Sequence, residues 1–334
     1  MEIYFICEVE KYMSVSLPIW IKEPIKVYLD DRKVNMPKIA WSHAYCNYIE
    51  NRGIEGRKKE KGYKKLHDNV YKYLTSKYLW VLDNNYYENN ISSKCIWIFW
   101  WQGLETAPLI IKKCIDSVKK NAGTFKVKII DKNNYMEYVK LSDSILKKLN
   151  NGTITITHFS DILRMNLIAD YGGYWLDATI FCTDNIESHI ADLPIYTGRN
   201  SGKDITNISN WDWTGYAIYG NSGNPLFCYV RDLFNAYWEN ENHLVDYYLI
   251  DYMIKVVYEN NDIVKKMIDQ IPINNTNQTK LDKCFNEEYS DELYGKLIND
   301  SDTWLYKITW KKKYNLFTEN GKPTIYNHWL NLEI

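Results

Sequence analysis

Apolar and polar residues alternate along the chain in three different textures. Up to about residue 93 the apolar positions recur at helical spacing, and the stretch SHAYCNYIENRGIEGRKKEKGYKKLHDNVYKYLTSKYLW (42–80) reads as largely helical with a break near Gly53 and Gly56. From Lys94 short apolar runs alternate with amphipathic ones. CIWIFW (95–100) is almost wholly apolar, the pattern of a strand buried on both faces. Gln102 and Gly103 make a turn, Pro108 opens a helix that runs to Lys120, and FKVKIID (125–131) is a second strand. Helical segments follow near 133–140 and 142–150. A further helix starts at Ser160 as its N-cap and ends at Gly172 and Gly173, which deliver the chain into a strand, YWLDATIF (174–181). In the last third, NPLFCYVRDLFNAYWEN and LVDYYLIDYMIKVVYEN read as two helices with aromatic faces, and the tail from Trp304 mixes short strands and turns.

The β-α-β-α order after residue 94 predicts an α/β fold, a parallel sheet with helices on its faces, and a ligand site outside the carboxyl ends of its strands. The segment HFSDILRMNLIADYGGYWLDATIF (158–181) carries the candidate chemistry. Asp161 and Arg164 are three apart and neighbours on one helix face. Strand alternation sends Trp175, Asp177 and Thr179 to one face and Tyr174, Leu176, Ala178 and Ile180 to the other. A carboxylate and a hydroxyl then project together beside an Asp/Arg pair. Such oxygen ligands suit Mg²⁺ or Mn²⁺ held between the protein and a diphosphate, where the cation offsets charge on a departing group. Taken singly the pieces are weak, because a helix-surface Asp–Arg pair contributes only tenths of a kcal/mol.

Their order along the chain is more specific. Phe99-Trp100-Trp101-Gln102-Gly103, then His158-Phe159-Ser160-Asp161 with Arg164, then Gly172-Gly173-Tyr174-Trp175-Leu176-Asp177-Ala178-Thr179 resemble the donor-site signature of the capsular polysaccharide synthesis proteins, GT-A glycosyltransferases related to Golgi mannosyltransferases and clostridial glucosylating toxins. The likeness covers about residues 94 to 185 and continues more loosely through DYYLIDYMI. It implies a GT-A (Rossmann-like) fold with a mixed, mostly parallel sheet. Residues 1–93 would be a largely helical extension packed on a catalytic domain, 94–334, with a donor half to about 200 and an acceptor half beyond. By the same resemblance Asp161 and Arg164 grip hydroxyls of the donor sugar, Asp177 faces the metal and diphosphate, and an aromatic among Phe99, Trp100 and Trp101 stacks on the nucleotide base beside Gln102. Trp175, Ala178 and Thr179 line the same site. Thr179 stands where the superfamily has a second aspartate, so Mn²⁺ or Mg²⁺ is expected to be weakly held, completed by His328, with Trp329 closing over the diphosphate. The implied reaction moves a hexose, with retention, from a nucleotide-diphosphate sugar, UDP-linked, to a lipid-linked glycan acceptor, with Asp251 the candidate on the acceptor side. The alternatives are a transferase that acts on protein and a non-catalytic glycan-binding protein with a decayed donor site.

Charge and composition narrow the partners. Lys plus Arg number 41 against 42 Asp plus Glu, which argues against nucleic-acid binding through overall positive charge. The 29 Tyr and 13 Trp against 9 Phe suit surfaces that meet sugars or bases, where one face is apolar and an edge hydrogen-bonds. The seven cysteines, Cys7 to Cys284, are scattered without a C-x-x-C pair, which predicts neither a disulfide framework nor a zinc site and points to a reducing compartment. The N-terminus lacks a basic n-region and a long apolar core, and no run reaches the ~20 apolar residues of a membrane span. The expected location is cytoplasmic and peripheral to the inner face of the membrane, which the basic cluster at 57–65 would approach.

Overall fold

Which side of each strand carries which residue determines the layers of the molecule. The computed structural model describes residues 18–32, 36–87, 94–190, 193–300 and 302–332. Cys7 and the N-terminal stretch judged not to be a signal peptide lie outside the described residues. Strand β1 (Cys95–Phe99) is central, with β2 (Lys126–Ile130) and β3 (Gly173–Leu176) parallel to it on either side. Beyond β3 the sheet adds β6 (Ala217–Gly220) antiparallel, and then β5 (Ile195–Thr197) antiparallel to β6, giving the order β2-β1-β3-β6-β5. Four strands therefore run one way and β6 runs against them, the mixed, mostly parallel sheet that the resemblance implied.

Both faces of this sheet are covered, as the unbroken apolar run of β1 requires. Ile96, Ile98, Tyr174, Leu176, Ala217 and Tyr219 enter one core, shared with helix Leu109–Lys120. Trp97, Phe99, Trp175 and Ile218 enter the other. That second core is larger because helices Ile156–Tyr171, Pro225–Asn240 and Leu249–Asn260 stack there, and helix Arg57–Tyr78 packs on the last two. The helical reading of 42–80 is met by helices Pro37–Asn51 and Arg57–Tyr78, and the break falls at Gly53 and Gly56, whose φ of +59° and +69° glycine alone adopts without strain. His43 ties these helices to the rest. Its ring nitrogens lie 2.6 Å from Asp31 and 2.9 Å from Asp246. Burial favours the neutral ring, but the two carboxylates overcome it and push the pKa up to about 9.

Three expectations are corrected. The helix before the glycine pair starts at Ile156 rather than at Ser160, because Thr155 has the extended backbone of a cap and its side chain accepts from the His158 amide. Ser160 lies inside the helix, donating to the Thr157 carbonyl at 2.6 Å. The segment 133–140 forms only the short 3₁₀ turn Tyr135–Glu137. YWLDATIF is two strands and not one. The last ladder bond of this segment runs from the Asp177 amide to the Tyr216 carbonyl, after which the Ile180 amide turns back to the Asp177 carbonyl at 2.9 Å. Strand β4 (Ile180–Cys182) then leaves the sheet and pairs antiparallel with β7 (Leu305–Lys307). Asp177 thus stands at the carboxyl edge of β3, not in the middle of a strand.

The turn from helix Ile156–Tyr171 into β3 depends on Gly172 and Gly173, with φ of +69° and +102°. A Cβ at Gly172 would also lie 2.7 Å from the Ser222 backbone nitrogen, so main chain would have to shift. Gly172→Ala is expected to lower the unfolding free energy by at least ~1–2 kcal/mol, the cost of the left-handed backbone alone, as read from urea denaturation.

Candidate active site

Helix Ile156–Tyr171 and the end of β3 converge at the carboxyl edge of the sheet. Arg164 is buried there and holds two carboxylates: its Nη1 lies 3.0 Å from Asp161 Oδ1 and its Nη2 3.3 Å from Asp177 Oδ1. The guanidinium rests over the Trp175 ring, 4.9 Å from the centroid, and the Trp175 indole N–H donates to Asp177 Oδ1 at 2.9 Å. The alternation expected for Trp175 and Asp177 therefore survives the end of the strand. A buried charge pair of this kind is costly to break from one side, roughly 3–5 kcal/mol, because the surviving charge is left without compensation. The pair also needs room. A Cβ on Gly215 would meet Arg164 Nη1 at 2.7 Å.

Asp177 has one more partner, which the sequence reading did not foresee. Lys307, the last residue of β7, places its ammonium 2.6 Å from Asp177 Oδ2. Burial pushes the Asp177 carboxyl up, but the charges of Lys307 and Arg164, with hydrogen bonds from Lys307 and Trp175, outweigh it and hold the pKa below the usual range. No local signal marks it: Lys307 ends a three-residue strand, and Thr309 and Trp310 after it are half-buried and exposed.

Around this cluster the surface opens into a cleft of two lobes that share Thr157, Ser160 and Asp177. The first lobe, about 320 Å³, is aromatic, lined by Phe99, Trp100, Trp101, Gln102, Trp175 and Trp310, with Ala178, Thr179 and Lys311 at its rim. Both Trp100 and Trp101 are half-buried and line it. Trp100 meets Trp310 edge-on at 5.5 Å, while Trp101 packs on Phe159 and Tyr135. The second lobe, about 340 Å³, is polar: Asp161, Arg164, Asp204, Asn207 and Asp251 face it, along with Trp213, Tyr216 and Tyr247. The loop that brings Asn207 and Trp213 there holds Asn210 and Trp211 at φ of +46° and +67°, a conformation unusual for so large a side chain as Trp211.

Asp251 is buried at the base of the second lobe and accepts from Asn207 Nδ2 at 3.1 Å and from the Trp213 indole at 3.0 Å. Burial pushes its carboxyl up to about 7; the nearby Asp161 charge adds to this, while Asn207, Trp213 and Arg164 pull the other way. Every residue of the first two motifs and of Trp175–Thr179 singled out as a donor ligand thus reaches one cleft, with Asp251 beside them.

The C-terminal candidates do not join them. Trp329 is fully buried among Phe181, Phe285 and Tyr326, and His328 stacks on Tyr289 with ring centroids 4.0 Å apart; neither lines the cleft. The reason is the helix Ile325–Asn331, which uses both residues to close a separate aromatic core. Asp177, Thr179 and His328 consequently do not converge as ligands, and among the described residues no three His, Cys, Asp or Glu side chains could hold a metal ion together. With both Asp177 oxygens already engaged by N–H donors, this donor set does not fit a divalent cation.

The sequence pattern of the capsular polysaccharide synthesis proteins matches residues 48–329. This chain belongs to that family. As a member it is a glycosyltransferase, the enzyme class that the three ordered motifs implied. Among solved structures, the PaToxG glycosyltransferase is similar at 15% identity over 74% of this chain and 97% of its own, with a TM-score of 0.38, a likeness too slight to argue from. The comparison with curated proteins finds no match.

Two measurements probe the geometry. Asp251 has a folded pKa above its unfolded value of about 3.9, so the folded state binds that proton more tightly and stability falls as pH rises from about 4 through 7. Asp251→Asn should abolish this contribution, and urea melts at pH 5 and pH 8 should show wild type losing ground to the variant at the higher pH. Gly215→Ala should displace Arg164 and lower turnover by about tenfold or more, equivalent to ~1.4 kcal/mol of misplaced transition-state contact, with the melting temperature read alongside to separate unfolding from misplacement.

Proposed function

We propose that the protein transfers a hexose from a nucleotide-diphosphate sugar, with uridine as the nucleoside, to a lipid-linked glycan intermediate, and that the anomeric configuration is retained. The observation that carries this reading is the Asp161–Arg164–Asp177 chain standing where an aromatic lobe meets a polar one. A nucleotide sugar has the same division: a flat base, a charged diphosphate and a hydroxylated ring. The base lies in the aromatic lobe, where stacking on Trp101 contributes about 1–3 kcal/mol. Asp161 and Arg164 hydrogen-bond sugar hydroxyls in the polar lobe, and Asp251 lies toward the acceptor.

The chemistry follows from what the site provides. The bond from the anomeric carbon to the diphosphate oxygen breaks, and its electron pair stays on the diphosphate. The acceptor hydroxyl approaches from the same face, bonds to the anomeric carbon, and passes its proton to the departing diphosphate. Arginine charge near that oxygen stabilises the transition state more than the ground state. No separate base is required, and both oxygens of Asp251, the buried carboxyl of the polar lobe, are already hydrogen-bonded.

The acceptor and location are read from the molecular surface. Among the described residues no helix is long and apolar enough to cross a membrane. Arg57, Lys58, Lys61, Lys64 and Lys65 are exposed on helix Arg57–Tyr78, and Trp41 and Trp80 are exposed nearby in sequence. Basic and aromatic surface of this kind suits the anionic cytoplasmic leaflet, where a lipid-linked glycan is presented.

A donor panel of UDP-, GDP- and dTDP-hexoses tests the reading. Slow hydrolysis of one UDP-hexose is expected, with the released sugar first appearing in the donor's anomeric configuration by NMR. Arg164→Ala should reduce it by about 100-fold, the scale of ~2.7 kcal/mol. Glycan binding with no nucleotide binding by calorimetry would instead establish the non-catalytic alternative.

A further inference from the structure

Departure of a nucleoside diphosphate needs positive charge beside the phosphates. In this site the position beside Asp177 that a divalent cation would take already holds one positive group. Lys307 Nζ is 2.6 Å from Oδ2, while Oδ1 accepts from Trp175 and Arg164. Thr179 offers a neutral hydroxyl where a second carboxylate would be needed, and its backbone carbonyl is taken by the Ile308 amide at 3.0 Å. Lys307 is set in place by the fold. It pairs opposite Ile180, directly after the Asp177–Thr179 turn, so β7 registers the lysine against the turn itself. Its ammonium also lies 5.0 Å from the centroid of the Tyr216 ring, whose backbone carbonyl fixes the Asp177 amide. The side chains of Lys307 and Asp177 remain 31% and 29% exposed, and Asp177, which carries the ammonium, lines both lobes of the cleft. An ammonium has three N–H donors and Asp177 takes one.

We propose that Lys307 is the resident cation for the donor diphosphate: held on Asp177, it binds the phosphate oxygens and stabilises the departing diphosphate, so that donor binding and transfer proceed without a divalent metal. This rests on the nucleotide-sugar reading above. The balance of the transfer is unchanged. The glycosidic electron pair stays on the diphosphate, the acceptor proton goes to the same diphosphate oxygen, and Lys307 keeps its protons, acting by charge and hydrogen bonds. Arg164 reaches the same carboxylate from the opposite side, and Lys311 lines the aromatic lobe, so two further cations flank the path of the phosphates. Asp177 is then a positioning residue, aiming Lys307 where a metal ligand would have aimed a metal.

The test is calorimetric titration of the full chain with UDP, GDP and dTDP, in EDTA and in millimolar Mn²⁺, repeated for Lys307→Met and Lys307→Arg with circular dichroism to verify folding. Wild type should bind its best nucleotide equally well in both conditions. Lys307→Met should weaken binding in EDTA by about tenfold or more, and Lys307→Arg should restore most of it. A wild-type affinity that rises about tenfold or more with Mn²⁺ would overturn the proposal while leaving the nucleotide-sugar reading intact. Unchanged binding by folded Lys307→Met would overturn it equally. Should Lys307→Met not fold, the wild-type comparison and Lys307→Arg still decide. No nucleotide binding in either condition would overturn both the proposal and the reading on which it rests.

Discussion

Arg164 is the group on which the site depends. It is buried, it cannot shed its charge, and the protein neutralises it with Asp161 from its own helix and Asp177 from the next strand. A lone buried guanidinium would be far too costly to tolerate, so the two carboxylates are as much a condition of folding as an instrument of function. The same contact joins helix Ile156–Tyr171 to the edge of β3, while Lys307 joins that edge to β7. One alternating chain of charges therefore links two consecutive elements to a third, β7, that is distant in sequence, and all meet at the carboxyl edge of the sheet.

The reversal of strand direction at β6 gives this chain its shape. β6 runs against β3, so the backbone entering it, at Gly215 and Tyr216, arrives at the carboxyl end of β3 and faces Asp177 across one hydrogen bond. Gly215 leaves space for the guanidinium, and Tyr216 lies beside the lysine ammonium. A fully parallel sheet would have brought the opposite end of this strand to the site. The polar lobe is built on that returning strand and on the loop before it, whereas the aromatic lobe is built on β1 and its turn. The aromatic and polar lobes thus draw on two halves of the sheet, with the charged cluster between them.

Much of this was legible in the residues. The apolar run 95–100 announced a strand covered on both faces, the glycine pair announced a sharp turn, and the three ordered motifs announced the family and most of the cleft. The errors share one cause. Ser160 and Thr155 are both good caps, and only the extended backbone at Thr155 selected between them. YWLDATIF has the composition of one strand, yet the turn at Asp177–Thr179 divides it because β4 finds its partner in β7, over a hundred residues later. His328 and Trp329 are expected beside the metal and diphosphate, but the fold uses Trp329 in an aromatic core and stacks His328 on Tyr289.

Local order is what the chain states by itself: hydrophobic spacing sets the elements, glycines permit the turns, and Asp161, Arg164 and Asp177 lie close enough in sequence for their meeting to follow from one helix and one turn. The identity of the counter-charge is not local. Lys307 stands 130 positions beyond Asp177, in a short strand with no motif around it, and only pairing of β7 with β4 brings it to the carboxylate. Long-range pairing is invisible to residue spacing because register is set by packing across the sheet. The sequence decided that a charged Asp/Arg cluster would form on this fold; the tertiary structure decided which cation rests on Asp177.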